Sequence, residues 1–182
     1  MTLIEQFRIY RTTKLSTVAK FLLKIHISAN SMTTLSLLAG LGAIYFLFQN
    51  HLLFVIFTAV HLLADAVDGV IARHASPTLF GSYYDALTDA LINFLAVVKI
   101  AYISADTYAY IIAVLFLMIY GAYFKTRMTL PIFQSRTITL LILTLLPVYS
   151  FIPQIAYLAT GVCLLYSTAK ILEQKASMMR WG

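Results

Sequence analysis

Four aspartates lie close together inside segments that are otherwise apolar. The chain of 182 residues has seven acidic side chains, and four of them fall within 25 positions: Asp65, Asp68, Asp85 and Asp89. The members of each pair are three or four residues apart, which places them on one face of a helix. An ionisable group within an apolar span costs several kcal/mol unless it is paired, hydrated or metal-bound, so these aspartates indicate a functional site.

The connection between the two pairs predicts that they meet. The segment around Pro77 is short, so the two apolar helices are expected to be antiparallel neighbours with opposed acidic faces. Four opposed carboxylates would repel one another without cations between them. Ligands that are all oxygen favour Mg²⁺ or Mn²⁺ over zinc, and the single cysteine, Cys163, excludes a cysteine-rich metal site. The pattern therefore predicts that all four aspartates bind divalent metal.

Small and basic residues surround the aspartates. Gly69 and Gly81 leave room for a backbone or a nucleotide to come close. Ala72 keeps its helix narrow beside Arg73, whose guanidinium can pair with a phosphate through two hydrogen bonds. These residues indicate a site for a phosphorylated ligand.

The spacing of these residues resembles the signature of the CDP-alcohol phosphatidyltransferase family. That signature is Asp, two residues, Asp-Gly, two residues, Ala-Arg, seven or eight residues, Gly, three residues, Asp, three residues, Asp. The chain meets all eight fixed positions over residues 65–89. The resemblance extends to the layout of the spans, an N-terminal juxtamembrane helix and the segment 30–34 that opens the first span, so it covers nearly the whole chain.

The resemblance implies an enzyme of phospholipid biosynthesis with two Mg²⁺ or Mn²⁺ ions at the cytoplasmic side. Asp65, Asp68 and Asp85 would bind the metals and hold the diphosphate of the donor, and Asp89 would lie beside the metals as general base. The acceptor hydroxyl would attack the phosphorus attached to the lipid alcohol, and CMP would leave. The residues expected to bind the CDP-alcohol are Asn30, Thr33, Gly69, Ala72, Arg73 and Gly81.

A second group of basic residues bears on the acceptor. Lys125 and Arg127 end the fourth apolar segment, and Arg136 opens the fifth. Members of the family that accept phosphorylated polyols, such as phosphatidylinositol-phosphate synthases, have a similar Lys-x-Arg that holds the acceptor's phosphate. The resemblance thus implies an acceptor such as glycerol phosphate or inositol phosphate, and also a homodimer. Anchoring by positive charge at the membrane surface explains the same three residues equally well.

The composition places this chemistry in a membrane. Hydrophobic residues make up 61% of the chain, and the mean hydropathy is +0.86, above the range of soluble domains. About 20 apolar residues span the hydrocarbon layer as a helix. We therefore predict an all-α integral membrane protein with six transmembrane helices, at 32–49, 52–72, 84–104, 106–125, 136–152 and 154–173.

The basic residues predict the orientation of the chain. With the N-terminus inside, every Lys and Arg except Lys99 falls on the cytoplasmic side or beside it. Both termini and the active site are then cytoplasmic in a multi-pass protein of the cell membrane. The net charge of +6 is concentrated near the N-terminus, where it indicates contact with anionic headgroups and not with nucleic acid. The expected single domain, 1–182, has an amphipathic interfacial helix (1–29), a transmembrane core (30–173) and a cytoplasmic tail (174–182).

Two other functions fit parts of this pattern. An amino-alcohol phosphotransferase would use a CDP-amino alcohol as donor, whereas lateral entry of lipid between helices favours CDP-diacylglycerol. A cation transporter could use the aspartates as an ion site, but transporters often have internal repeats or broken helices near the membrane centre, and the sequence shows neither. Transfer from a CDP-linked lipid to a small alcohol is the function that the sequence predicts.

Overall fold

The computed structural model describes residues 3–75, 78–126 and 135–180, which form seven α-helices. In chain order these helices are α1 (Leu3–Lys24), α2 (Ala29–Phe46), α3 (His51–His74), α4 (Leu79–Ser104), α5 (Thr107–Thr126), α6 (Ser135–Leu143) and α7 (Ile152–Arg180). The described ranges contain no strand. The predicted all-α class is therefore confirmed.

Several helices suit a membrane. Helices α3 and α4 and the Ile152–Glu173 part of α7 are long and apolar enough to cross one. Helix α1 from Thr12 and helix α2 add a fourth crossing if the bent pair counts as one span, and the apolar Thr107–Ala122 part of α5 is shorter. Among the described residues, three or four crossings are thus supported, and the protein is an integral membrane protein. The finer prediction of six crossings is taken up below.

Helix α6 differs from the predicted span over 136–152. It ends at Leu143 after 9 residues, and the backbone then tightens into turns, with N–H of Leu145 donating to O of Ile142 at 3.0 Å. Pro147 explains the ending, because its ring clashes with the carbonyl four residues earlier and disfavours helical geometry at the residue before it. The segment is mostly apolar, but the structure corrects the expectation of one continuous helix.

The chain divides into two compact units, and the boundary falls inside α4, after Asp89. In the first unit, α1 and α2 both pack on α3. Ala19 of α1 is fully buried against Val67, Val70 and Ile71 of α3. With about 3.6 residues per helical turn, these three residues lie on a different face of α3 from Asp65 and Asp68, so α1 supports α3 away from its acidic face.

A sharp bend separates α1 from α2. The two helices meet at 108°, across a break of four residues. His26 has φ of 61°, N–H of Ile27 donates to O of Leu22 at 2.9 Å, and N–H of His26 donates to O of Leu23 at 3.0 Å. These bonds form a Schellman motif, which ends a helix with one left-handed residue. Ser28 then caps α2 by accepting a hydrogen bond from N–H of Ser31.

Gly42 of α2 lies against a side chain of α3. A Cβ placed on Gly42 would lie 2.6 Å from the ring of Phe57. That ring also stacks on Phe46, with centroids 5.5 Å apart. A larger residue at position 42 would therefore force the Phe57 ring to shift and disturb its stacking on Phe46.

We expect Gly42→Ala to destabilise the protein by about 1–3 kcal/mol, the usual effect of overpacking a helix contact. The measurement is thermal unfolding of the purified protein in detergent. Gly121→Ala is the matched control, because a Cβ on Gly121 of α5 would meet no atom within 4 Å. A Gly42→Ala variant as stable as Gly121→Ala would contradict the close contact.

The second unit contains the rest of α4 and helices α5 to α7. Helix α7 packs on both α5 and α6. Polar side chains join the helices at buried positions: Asn93 donates to Oγ of Ser135 at 2.9 Å, and the hydroxyls of Thr139 and Thr160 lie 2.7 Å apart. Such bonds hold helices together where lipid surrounds them and water does not compete.

Candidate functional site

Three of the four predicted aspartates come together. Asp65 and Asp68 lie one turn apart on α3, and Asp85 lies on α4. One carboxylate oxygen from each of the three lies within 4.8 Å of the others. Asp68 is buried, at 3% exposure, whereas Asp65 and Asp85 are half-buried. The sequence prediction that the acidic faces of these two helices are opposed holds for these residues.

The donor set fits a hard divalent cation. Oxygens on opposite sides of a bound Mg²⁺ or Ca²⁺ are separated by ~4–5 Å, twice the metal–oxygen distance. The 4.8 Å spread of the three carboxylate oxygens is in that range. Three oxygen ligands with no sulfur or imidazole among them suit Mg²⁺, Mn²⁺ or Ca²⁺ rather than zinc. The donor set and its spacing are therefore compatible with such an ion.

Asp89 stands apart from this group. It lies one helical turn beyond Asp85 on α4, is half-buried, and is not one of the three residues whose oxygens cluster. Its spacing still puts it on the Asp85 face of the helix. Its roles as metal ligand and as general base remain predictions.

Asp68 is held from α2. Oγ1 of Thr33 donates a hydrogen bond to Oδ2 of Asp68 at 2.8 Å, and both side chains are buried. Because the acceptor carries charge, this bond is stronger than one between neutral groups. The N-terminal part of α2 thus supplies a hydrogen-bond donor to the acidic cluster.

A cavity of about 390 Å³ adjoins two of the clustered carboxylates in the first unit. All six residues predicted to bind the CDP-alcohol lie in its wall, together with Asp68 and Asp85: Asn30, Thr33, Gly69, Ala72, Arg73 and Gly81. These residues come from α2, α3 and the start of α4, up to 55 positions apart in the chain. A cavity that combines acidic side chains with an arginine suits a ligand whose phosphates are bridged by a cation.

Sequence reasoning missed six other residues of the wall, which are Leu23, Ser28, Ala29, Ala75, Thr78 and Ser82. Two of them carried a signal that could have been used. Ser28 and Thr78 each stand just before a helix and accept a hydrogen bond from a backbone N–H three residues later, as capping residues do. Leu23 could not be found in this way, because only the bend after α1 brings it to the cavity.

Gly81 lies where α4 begins beside α2. A Cβ on Gly81 would be 3.0 Å from Oδ1 of Asn30 and 3.0 Å from Oγ1 of Thr78. Both contacts are tighter than ordinary van der Waals distance, so a larger residue would push the Asn30 side chain. Gly81 therefore leaves room for a polar side chain of the cavity, and the room predicted there for a backbone or a nucleotide remains a prediction.

The residues predicted to bind the acceptor are described only in part. Lys125 is in α5, but its side chain lies outside the described residues, as does all of Arg127. Arg136 is in the first turn of α6 in the second unit and is buried, at 5% exposure. A buried guanidinium at a helix N-terminus favours negatively charged groups. Its role in acceptor binding remains a prediction.

Comparison with known proteins agrees with this site. The sequence model of the family described as CDP-alcohol phosphatidyltransferase matches residues 26–170, well over half of the chain. The chain has no significant match among the curated proteins or the solved structures. The family match covers every described residue of the acidic cluster and all of the cavity wall except Leu23. The chain therefore belongs to the CDP-alcohol phosphatidyltransferase family, and it is a membrane enzyme of phospholipid biosynthesis that transfers the phosphoalcohol group of a CDP-alcohol to an acceptor alcohol.

Proposed function

We propose that the protein transfers a phosphatidyl group from CDP-diacylglycerol to a small phosphorylated polyol, using Mg²⁺ or Mn²⁺, and releases CMP. The observation that carries the proposal is the meeting of Asp65, Asp68 and Asp85 within 4.8 Å of one another. Two of these carboxylates also line the cavity that contains the donor-binding residues expected from the family signature. A cation bound there would neutralise the diphosphate and stabilise the charge that develops on it.

The surroundings of the cavity support a lipid substrate. Leu79 and Phe80 are 83% and 68% exposed, directly between the wall residues Thr78 and Gly81. Large apolar side chains that are exposed on a membrane protein contact lipid. A CDP-diacylglycerol with its nucleotide in the cavity would then have its acyl chains beside these residues.

The chain's own residues have separate tasks in the proposed step. Arg73 binds a phosphate oxygen of the donor, and Gly69, Ala72 and Gly81 leave space for the nucleotide, beside Asn30. Asp89 accepts the proton of the acceptor hydroxyl. The hydroxyl oxygen forms a bond to the phosphorus that carries the diacylglycerol, the bond from that phosphorus to the oxygen of CMP breaks, and CMP leaves. Fixing nucleophile and phosphorus in line supplies much of the rate, since a carboxylate near a cation is a modest base.

The acceptor is proposed from the basic residues. Arg136 is buried at the start of α6, where its charge and the helix dipole both favour an anion. Together with Lys125 and Arg127, it would hold the phosphate of glycerol phosphate or inositol phosphate.

The membrane arrangement is proposed as six crossings with both termini and the site on the cytoplasmic side. The apolar helices α3, α4 and α7 support three of these crossings, and α2, α5 and the segment that begins with α6 would supply the others. Helix α1 would lie in the interface. Val18 and Phe21 of α1, and Ile25 just after its end, are exposed and stand beside Lys20 and Lys24 in the sequence, as in helices that bind anionic lipid surfaces.

The test is CMP release by the full chain in lipid nanodiscs. With Mg²⁺, CDP-diacylglycerol and either glycerol phosphate or inositol phosphate, we expect CMP to form at least tenfold faster than with glycerol or inositol. The tenfold preference corresponds to ~1.4 kcal/mol, the low end for charge-assisted hydrogen bonds. Chelation of divalent metal should abolish the reaction.

Two outcomes would contradict the proposal. CMP release only from a CDP-amino alcohol plus diacylglycerol would show that the donor is wrong. No CMP release from any CDP-alcohol, together with cation flux into sealed vesicles, would show that the aspartates form an ion path.

A further inference from the structure

The hydroxyl of Thr33 is bound to one of the clustered carboxylates. Oγ1 of Thr33 donates to Oδ2 of Asp68 at 2.8 Å across the contact between α2 and α3. Both side chains are 3% exposed, so water does not compete for either group. Thr33 is β-branched, which limits its χ1 in a helix mainly to two rotamers, and its hydroxyl also lies 3.1 Å from the backbone oxygen of Ala29 in its own helix.

Thr33 has one proton to donate, and that proton is already engaged. The acceptors near Oγ1 are Oδ2 of Asp68 at 2.8 Å and the backbone oxygen of Ala29 at 3.1 Å. A diphosphate has only acceptor oxygens, so Thr33 can donate to it only by releasing Asp68. The hydroxyl therefore acts on the site through the carboxylate and not as a ligand of the phosphates.

The carboxylate that Thr33 holds is under repulsion from its neighbours. Asp65 and Asp85 bring two like charges close to Asp68, within the same 4.8 Å group. Like-charge repulsion favours side-chain rotation that moves the three carboxylates apart. A hydrogen bond to Oδ2 opposes that rotation and leaves the other oxygen of Asp68 able to bind a cation.

We infer that Thr33 is a positioning residue, which orients Asp68 for a divalent cation before substrate binds. The inference rests on the proposed function only in taking the three carboxylates as a cation site. If Thr33 positions Asp68, its loss lowers the affinity for the metal. If Thr33 instead contacts the nucleotide, its loss lowers the affinity for the CDP-alcohol donor. The two roles can be separated by measuring each affinity alone.

A second buried contact between α2 and α3 provides the comparison. Oγ of Ser36 donates to the backbone oxygen of His61 at 3.1 Å, and Nδ1 of His61 lies 2.8 Å from the backbone oxygen of Ser36. A carbonyl oxygen can only accept, so Nδ1 carries the proton. The Ser36 hydroxyl also lies 2.9 Å from Nδ1 of His61, so Ser36→Ala removes buried hydrogen bonding between the same two helices that involves no carboxylate.

The experiment measures Mn²⁺ binding to the full chain by electron paramagnetic resonance, without nucleotide. Thr33→Val is isosteric and removes the hydroxyl, so we expect it to raise the Kd for Mn²⁺ by ~10-fold or more, the usual effect of losing a hydrogen bond to a ligating carboxylate. Thr33→Ser keeps the hydroxyl and should bind Mn²⁺ within ~3-fold of the native chain. If Thr33→Val does not fold, Thr33→Ala carries the same expectation.

Two controls separate positioning from helix packing. Ser36→Ala and Thr34→Val should each leave the Kd for Mn²⁺ within ~3-fold, whatever they do to thermal stability. Thr34→Val is the same substitution at the neighbouring residue. The hydroxyl of Thr34 lies 3.0 Å from the hydroxyl of Tyr84, whereas that of Thr33 contacts a carboxylate.

Each other outcome overturns the inference. Native Mn²⁺ affinity in Thr33→Val, equal weakening in Ser36→Ala, or absence of Mn²⁺ binding in the native chain would each do so. A Thr33→Val change confined to the Kd for CMP would assign the residue to the nucleotide instead. If Mn²⁺ binding behaves as expected but no CDP-alcohol yields CMP, the proposed function fails while the role of Thr33 stands.

Discussion

Asp68→Asn is expected to lower CMP release by about a thousandfold, because several kcal/mol of charge stabilisation are lost and each ~1.4 kcal/mol is a factor of ten. Asp68 is buried at the centre of the acidic group, where its carboxylate meets those of Asp65 and Asp85. An amide keeps the shape of the side chain and can still accept the Thr33 hydrogen bond. The substitution therefore removes the charge and leaves the packing in place.

Stability should respond in the opposite direction to activity. Without divalent metal, the variant has one less buried like charge, so its thermal midpoint in chelator should equal or exceed that of the native chain. Loss of turnover with retained stability would identify a site, whereas joint loss of both would indicate a structural polar network. Asp106→Asn is the matched control.

Asp106 makes a suitable control because its contacts are structural. It lies before α5 in the second unit, where it accepts hydrogen bonds from N–H of Tyr108 at 2.9 Å and from Oη of Tyr157 at 2.6 Å. An asparagine keeps an acceptor oxygen for the helix cap, so CMP release should stay within ~2-fold of native. If Asp106→Asn also lowered CMP release a thousandfold, the loss in Asp68→Asn could not be attributed to the acidic site.

Asp89→Asn is expected to reduce turnover by ~10²–10⁴-fold, the range for removal of a general base. Asp89 lies on the Asp85 face of α4 but outside the group of clustered oxygens, which suits a proton acceptor better than a ligand already bound to cation. An amide cannot take the proton of the acceptor hydroxyl. The measurement is single-turnover CMP release, which excludes product dissociation as the slow step.

Binding measurements distinguish the two roles predicted for Asp89. If it is the base, the Kd values for Mn²⁺ and for CDP-diacylglycerol should stay within ~3-fold of native. A tenfold or greater weakening of Mn²⁺ binding would move Asp89 into the metal shell. Turnover within tenfold of native would refute the assignment as base.

Part of the acidic site can be predicted from the local sequence. The two Asp pairs have helical spacing within apolar segments, so both the helices and the common face of each pair follow from periodicity. That Asp65, Asp68 and Asp85 converge needed only a short connection between α3 and α4. The separate position of Asp89 did not follow, because the direction of each side chain depends on how the two helices are rotated about their axes.

The fifth apolar segment shows where composition misleads. Residues 136–152 are mostly apolar, yet α6 ends at Leu143. Pro147 carried the information, because a proline acts on backbone geometry four residues back, whereas an average over a window measures only solvation. The end of α6 is therefore set by the backbone geometry that Pro147 imposes and not by the apolar composition of the segment.

The sequence by itself determined the class of protein, the family and the acidic residues, because apolar spans, helical spacing and eight signature positions are all local properties. Tertiary structure decided which groups hold those residues in place. The bend at His26 brings Leu23 to the cavity, and the contact between α2 and α3 brings the hydroxyl of Thr33 to Asp68, 35 positions away. Such pairings depend on how helices meet, and helix packing is set by the shapes of many side chains together.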